Sequence, residues 1–196
     1  LFPYTTLFRS TKLIDEIIFS SNDETCIAIA EKYKKDSRLK IIPRPEGLCL
    51  SSTNLQDLIC YVPTITDADH ILWGHVTTPF TDAIQYDTGI KLYLEKLNEG
   101  YDSLVGVTEI KNFLLSKTGK LINNNTSLLW PRTQDLDPLY EINHTMFLAK
   151  RELYIKYKNR IGQKPFLHIM DKIHSFDIDW PEDFTTAEIM YMNQIG

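Results

Sequence analysis

Short apolar runs alternate with amphipathic stretches over residues 17–110. The runs at residues 17–21, 40–43, 71–76 and 103–110 have the length and β-branched content of strands, and helical periodicity separates them. Such alternation is typical of an α/β fold with a mainly parallel sheet and helices on both faces. Ligands bind such sheets beyond the carboxyl ends of the strands. We therefore expect functional residues in the loops that end the first, third and fourth runs.

Capping signals predict where several of the helices begin and end. Ser21 and Glu24 fit an S-x-x-E capping box, and Thr53 is placed to cap the next helix. Gly100 is placed to end a helix over residues 81–98. These signals support the alternation of strands and helices.

The pattern changes after residue 110. Residues 113–122 suggest a hairpin, and residues 123–139 are polar and rich in turn residues. A strand is predicted at residues 145–149 and a helix from about Arg151. Pro181 suits the first position of a closing helix.

Composition excludes several classes of protein. The chain has 196 residues, 43% of them apolar, and a formal net charge of −5, which disfavours a general nucleic-acid binder. No apolar run approaches the roughly 20 residues of a membrane helix. Cys26, Cys49 and Cys60 are odd in number and lack C-x-x-C spacing, so we expect free thiols in a reducing cytoplasm.

Common catalytic motifs are not found in the sequence. It contains no G-x-S-x-G, H-E-x-x-H, P-loop or G-x-G-x-x-G pattern. The five histidines show no metal-ligand spacing, so we expect most of them to be surface or core residues. These observations disfavour hydrolase, zincin, P-loop ATPase and dehydrogenase functions.

The first ten residues, LFPYTTLFRS, have no signal-peptide layout and no clean hydrophobic period. The string resembles translated sequencing-adapter read-through, and a genuine edge strand is the alternative. We expect residues 1–10 to be a non-native leader and residues 11–196 to form the domain.

Two aspartates near the carboxyl terminus carry the strongest chemical signal. Asp177 and Asp179, at i and i+2 in an extended segment, project to the same side. A hard cation such as Mg²⁺ takes a few such oxygens together with phosphate oxygens and water. Glu182 and Asp183 are expected to complement the dipole of the helix that follows. A D-x-D pair alone is also compatible with solvated residues at a helix start.

Seven segments in the same order resemble the acylneuraminate cytidylyltransferases, the CMP-sialic acid synthetases. The resemblance runs from about Ser10 to the end of the chain. The segments are DEIIFSSND at 15–23, RPE with Leu48 at 44–48, HVTTPF at 75–80, DSLVGVTE at 102–109, RTQDL at 132–136, Asn143, and DID-x-PED at 177–183.

The resemblance implies a Rossmann-like nucleotidyltransferase fold that transfers CMP from CTP to a nonulosonic, sialic-type acid, with release of pyrophosphate. It implies a homodimer, with residues 123–164 supplying much of the contact. By the same analogy Asp177 and Asp179 would hold Mg²⁺. The cytidine would lie near Arg44, Ser51, Ser52 and Thr53, and the sugar acid near His75, Thr77, Thr78, Arg132, Gln134 and Asn143.

Several positions depart from the family pattern. His75 replaces the usual Gln, Val76 the Pro and Ser51 an acidic residue, and His144-Thr145 replaces a Gly-Ala pair. The sugar pocket is therefore expected to suit another acid, and 3-deoxy-manno-octulosonate, legionaminate and pseudaminate are alternatives to sialic acid. A metal-dependent glycosyltransferase is a more distant alternative.

Members of the family begin with a strand and a basic A-R-x-G-S-K loop, and this loop holds the triphosphate. Nothing in the present sequence resembles that segment. We therefore expect a chain that lacks its first βα unit. The alternative to an enzyme is a non-catalytic fragment, or a binding or dimerisation module of the same fold.

We predict little or no turnover by this chain, because the charge that neutralises the triphosphate is missing. Pyrophosphate release from CTP and sialic acid, measured with a coupled assay, should stay at background. Brisk release would contradict this prediction.

Overall fold

A computed structural model describes residues 8–193. The strands are β1 (Ile17–Ser21), β2 (Leu39–Pro43), β3 (His70–Trp73), β4 (Ser103–Ile110), β5 (Leu139–Lys150) and β6 (Pro165–Ile169). The α-helices are α1 (Glu24–Glu31), α2 (Leu55–Tyr61), α3 (Ala83–Asn98), α4 (Arg151–Tyr157) and α5 (Pro181–Met192). Three short 3₁₀ helices lie at Glu46–Leu48, Val62–Thr64 and Thr133–Asp135.

The strands form two sheets. β1 and β2 pair in parallel, and the second sheet has the order β3-β5-β4-β6. In that sheet β3, β4 and β6 run in one direction and β5 runs against them. The predicted α/β class with a mainly parallel sheet is confirmed, and β5 is the reversed strand.

Helices cover both faces of the four-stranded sheet. On one face α3 places Tyr86 and Tyr93 against Leu104 of β4 and Met146 of β5. On the other face α2 and α4 pack Ile59, Leu153 and Tyr154 against Ile71 of β3 and Ala149 of β5. Period-2 alternation along β5 is what sends neighbouring residues to opposite cores.

A large bulge interrupts the pairing of β4 with β5. Val105 pairs with Phe147, whereas Val107 pairs with Ile142, so β5 carries extra residues opposite Gly106. A Cβ atom at position 106 would stand 2.2 Å from the Thr145 hydroxyl oxygen, so only glycine fits beneath the bulge. Bulges of this kind redirect side chains and are common beside active sites.

Helix caps differ from two of the predictions. Asp23, not Ser21, caps α1 by accepting from the backbone N–H of Cys26 at 2.8 Å. Asn54, not Thr53, caps α2. In both cases a carboxyl or amide oxygen nearer the helix, by two residues at Asp23 and by one at Asn54, reaches a free N–H group.

Other predicted boundaries are confirmed or corrected by the structure. Gly100, with φ +84°, ends α3, and Pro181 begins α5. The predicted hairpin is reduced to one antiparallel bridge, between Leu115 and Leu121. β6 was not predicted, because its edge position leaves its pattern partly exposed.

Residues 1–7 of the predicted leader lie outside the described residues, and its last residues contact the domain. The Phe8 ring lies 4.5 Å from the Tyr86 ring. Arg38 donates to the backbone oxygens of Arg9, at 2.6 Å, and Thr11, at 3.0 Å. The origin of this segment stays a prediction. Among residues 8–193, no helix is long and apolar enough to cross a membrane.

Candidate active site

The loop after β3 is tied to the segment that precedes α5. The backbone N–H of Ile178 donates to the carbonyl of Thr77 at 2.9 Å. The buried hydroxyl of Thr81 donates to the carbonyl of His174 at 2.7 Å. Residues from two regions that are distant in sequence are thereby fixed side by side, beyond the carboxyl end of β3.

Asp177 and His144 form the central polar contact of this region. His144 lies in the β5 bulge with φ +58°, a left-handed conformation that a side chain other than glycine rarely adopts. Its Nδ1 lies 2.6 Å from Oδ2 of Asp177. Oδ1 of Asp177 is buried and has no hydrogen-bond partner among the described residues. One carboxylate oxygen is therefore held, and the other is left unsatisfied.

The carboxyl group of Asp177 stays ionised despite its burial. Desolvation alone would raise its pKa, but the neighbouring side chains of His144 and Thr77, and the positive charge that His144 and His75 carry when protonated, lower the pKa below its usual value. An ionised carboxylate with a free oxygen can accept a cation.

His75 contacts the only arginine that is buried within the described chain. Nη1 of Arg160 lies 2.7 Å from Nε2 of His75, so a neutral His75 ring accepts this hydrogen bond. The His75 ring stacks on Trp73 at 6.0 Å and lies 5.0 Å from the ring of His144. A continuous set of side chains therefore joins Arg160 to Asp177.

Burial makes His75 a poor base. It lowers the pKa of His75 to about 4, with the charges of Arg160 and His144 acting in the same direction and Asp177 against them. Burial also lowers the pKa of Arg160, while the nearby Tyr154 acts to raise it. His75 is thus neutral at physiological pH.

A cleft of about 780 Å³ opens beside this set of side chains. One wall is formed by residues 13–20, including β1, and the other by residues 65–76, including β3. Arg44, His75 and Thr78 also line it. Arg44 is held at the β1 side by donating to the carbonyl of Ser20 at 2.6 Å. The volume falls in the range of small-molecule sites.

The other residues predicted to bind the nucleotide lie on a surface turn. Ser51 and Ser52 are exposed, and the Thr53 hydroxyl donates to the carbonyl of Gly47 at 3.1 Å. These three are not among the residues that line the cleft. Their role toward cytidine stays a prediction.

The predicted sugar-side residues divide into two groups. The structure brings His75, Thr77 and Thr78 together with Asp177. Arg132 is exposed and bound to Asp135 at 2.8 Å, and Gln134 is exposed in the same 3₁₀ turn. No hydrogen bond or ion pair within the described chain links this turn to Asp177.

Asn143 is buried beneath the bulge. Its Oδ1 accepts from the Thr145 hydroxyl at 2.7 Å, and its Nδ2 donates to the Thr108 hydroxyl at 3.3 Å. These contacts hold the bulge in place, and contact of Asn143 with a sugar stays a prediction.

Asp179 is exposed, and its backbone N–H donates to Asp183 at 3.1 Å. Asp183 also accepts from the N–H of Trp180 at 2.9 Å, so it satisfies backbone donors at the start of α5. No group of three or more His, Cys, Asp or Glu side chains suited to a metal occurs among residues 8–193. The unpartnered Oδ1 of Asp177 nevertheless fits a cation, with phosphate oxygens and water completing its ligands.

His144 and Arg160 were not predicted as site residues. The one available signal for His144 was its position where the resembled family has glycine, which the left-handed φ of +58° explains. Arg160 carried no sequence signal, because its contact with His75 spans 85 residues.

Comparisons with known proteins point to the same family as the sequence segments. The chain is 28% identical over 187 residues to the N-acylneuraminate cytidylyltransferase of Escherichia coli O18:K1:H7. The matched region covers 90% of this chain and 42% of that protein. It is 21% identical to the post-translational flagellin modification protein B of Campylobacter coli, over 93% of this chain and 79% of that protein. No family model matches.

Solved structures share the fold. The CMP:2-keto-3-deoxy-manno-octonic acid synthetase complexed with CTP aligns with a TM-score of 0.66 at 9% identity, covering 98% of this chain and 88% of that one. The 4-diphosphocytidyl-2C-methyl-D-erythritol synthase of Anaerococcus prevotii aligns with a TM-score of 0.68 at 14% identity, covering 96% and 84%. The predicted resemblance to the cytidylyltransferases is confirmed. The chain spans less than half of the E. coli cytidylyltransferase, so what that whole protein does is carried over below only as a proposal.

The half-buried, neutral His75 predicts a pH dependence of stability. Below about pH 6.5 the unfolded chain binds a proton that the folded chain, with a pKa of about 4 at His75, does not bind. Stability should therefore fall between pH 6.5 and pH 4, by about 1–2 kcal/mol after solvent screening is allowed for.

His75→Gln should flatten this dependence, measured as the free energy of urea unfolding at several pH values. His70→Gln, which changes an exposed histidine outside the set of side chains, serves as the control and should keep the wild-type slope. Equal slopes in wild type and His75→Gln would contradict the assigned burial of a neutral ring.

Proposed function

We propose that this protein has the site of a CTP-dependent cytidylyltransferase whose reaction transfers CMP to a nonulosonic, sialic-type acid, with the little turnover by the chain itself that the sequence predicts. The observation that carries the proposal is the carboxylate of Asp177, fixed by His144 at 2.6 Å with its second oxygen buried and unpartnered, in a chain similar to such enzymes. The similarity supplies the reaction, and the geometry supplies a place for its cation.

In the proposed reaction, the anomeric hydroxyl oxygen of the sugar acid attacks the α-phosphorus of CTP. A bond forms between that oxygen and the α-phosphorus. The bond from the α-phosphorus to the bridging oxygen breaks, its electron pair leaves with pyrophosphate, and the hydroxyl proton passes to solvent. Such transfers depend on in-line positioning and charge neutralisation rather than on covalent catalysis.

The chain's own residues have positioning roles in this proposal. Asp177, with Asp179, would hold Mg²⁺, which neutralises phosphate charge when bound. His144 orients Asp177, and the Thr77 carbonyl fixes the backbone between the two aspartates through Ile178. Arg44, with the turn of Ser51, Ser52 and Thr53, would lie toward the cytidine, and the remaining sugar-side residues are His75, Thr77, Thr78, Arg132, Gln134 and Asn143.

The aspartate assignment predicts that CTP binding depends on magnesium and on Asp177. Asp177→Asn and Asp179→Asn should each weaken CTP binding by about tenfold or more, equivalent to about 1.4 kcal/mol. Isothermal titration calorimetry in MgCl₂ and in EDTA measures this. Glu188→Gln, an exposed carboxylate of α5, is the control and should bind CTP as wild type does.

If CTP binds equally tightly in EDTA and in both aspartate variants, the assignment of Asp177 and Asp179 as magnesium ligands is refuted. A wild-type chain that binds no CTP in either buffer would refute the proposed function.

We also propose that the protein forms a homodimer through residues 123–164. Leu128, Leu129 and Trp130 follow one another in this region, and they are 62%, 80% and 71% exposed. The ring of Trp130 contacts only the half-exposed Phe113 among the described aromatic rings, at 5.3 Å. A run of exposed apolar residues is typical of an interaction surface. A second copy is the favoured partner, because the resembled family places its dimer contact in this region.

The double variant Leu129→Ser, Trp130→Ser should be a monomer, because it removes the most exposed apolar side chains of that run. Light scattering coupled to size-exclusion chromatography gives the mass directly. The single control Ile189→Ser changes an equally apolar, 57% exposed residue of α5 and should leave the dimer intact. A wild-type monomer, or a dimeric double variant, would refute the proposed interface.

A further inference from the structure

Arg160 is a buried arginine without a carboxylate partner. Arg160 is only 6% exposed, and none of the ion pairs within residues 8–193 includes it. Its one polar contact is the hydrogen bond to Nε2 of His75, a neutral acceptor. The positive charge is therefore uncompensated by any fixed negative group of the described chain.

Aromatic rings account for part of the environment of this guanidinium. Its Cζ lies 3.6 Å from the ring centroid of Phe147 and 5.0 Å from that of Trp73. Cation–π contacts of this kind orient a guanidinium and recover some of its lost solvation, but they do not neutralise its charge. A buried, unpaired charge is costly, so natural proteins generally keep one only where it has a partner or a function.

Arg160 is not itself among the residues that line the cleft, but it contacts two residues that are. Trp73 and His75, the ring and the acceptor that hold it, both line the cleft of about 780 Å³. Phe147 follows the bulge on β5 and packs with Trp73 in the same apolar cluster. The planar fork of an arginine can bind both oxygens of a carboxylate, which a lysine cannot do.

Arg132, the arginine that the resemblance places near the sugar acid, already binds a carboxylate. Arg132 donates through Nε and Nη2 to both oxygens of Asp135, at 2.8 and 3.0 Å, on the surface. A second carboxylate would have to displace Asp135 from it. Arg160 has no such competitor.

We propose that Arg160, oriented by His75 and by the rings of Trp73 and Phe147, recognises the carboxylate of the sugar acid. This inference rests on the proposed function and adds the residue that selects an acid over a neutral sugar. It assigns His75 a positioning role, as the acceptor that fixes the guanidinium.

The test compares an acid with its neutral ester. Wild-type protein is titrated with N-acetylneuraminate, with 3-deoxy-manno-octulosonate and with the C1 methyl ester of each, and binding is followed by ligand-observed NMR. Wild type should bind at least one acid about tenfold or more tightly than its ester. Arg160→Met should bind acid and ester alike. Arg160→Lys should retain part of the preference, because it keeps the positive charge but loses the paired N–H donors of the guanidinium.

Arg151→Met is the matched control. Arg151 donates to the carbonyl of Pro63 at 2.9 Å and lies outside the set that joins Arg160 to Asp177. This variant should keep the wild-type ratio of acid to ester affinity.

Stability without ligand gives an independent readout. Because the charge of Arg160 is uncompensated, Arg160→Met should unfold at a urea concentration equal to or above that of wild type. A marked fall in this midpoint, or a variant that does not fold, would identify a structural arginine and overturn the inference.

The inference also fails if wild type binds acid and ester equally, binds neither, or if Arg160→Met keeps the preference. Any of these results obtained while CTP still binds with magnesium leaves the proposed cytidylyltransferase function intact. Loss of wild-type CTP binding would instead refute the function itself.

Discussion

The break in pairing between β4 and β5 is the constraint on which the rest of the site depends. Regular antiparallel pairing would send the side chains of residues 143–146 alternately to the two cores. The bulge instead turns His144 into a left-handed conformation, from which its ring reaches Asp177, 33 residues further along the chain. Gly106 permits this by leaving room for Thr145 and Asn143, whose mutual hydrogen bond holds the bulge. The backbone strain at His144 is thus located where the chemistry is expected.

Two unsatisfied groups of opposite charge lie at the ends of one connected set of side chains. Within residues 8–193, Asp177 has a buried oxygen without a partner, and Arg160 has a buried guanidinium without a counter-ion. His144 and His75, with ring centroids 5.0 Å apart, separate the two groups. A cation bound at Asp177 and an anionic group bound at Arg160 would supply the missing partners. Of this set of side chains, His75 lines the cleft, and the groups at the two ends lie beside it.

Much of the fold could be predicted because it rests on local pattern. The bounds of β1 and β4 follow from short apolar runs, and the ends of α3 and α5 follow from Gly100 and Pro181. The caps of α1 and α2 could not be assigned, because Asp23 and Asn54 compete with neighbours of similar chemistry, and only the path of the backbone selects one. The reversed strand β5 and the edge strand β6 depend on long-range pairing that local periodicity does not encode.

Residue order and spacing are enough to predict the α/β class, the resemblance to the cytidylyltransferases and the candidate aspartates. The folded chain is needed to see that His144 holds Asp177 and that Arg132 is bound to Asp135. It also shows Arg160 buried against His75 with no counter-ion among residues 8–193. The charge state of a side chain, and whether its polar atoms have partners, depend on burial and on residues distant along the chain. Spacing in the sequence does not specify these.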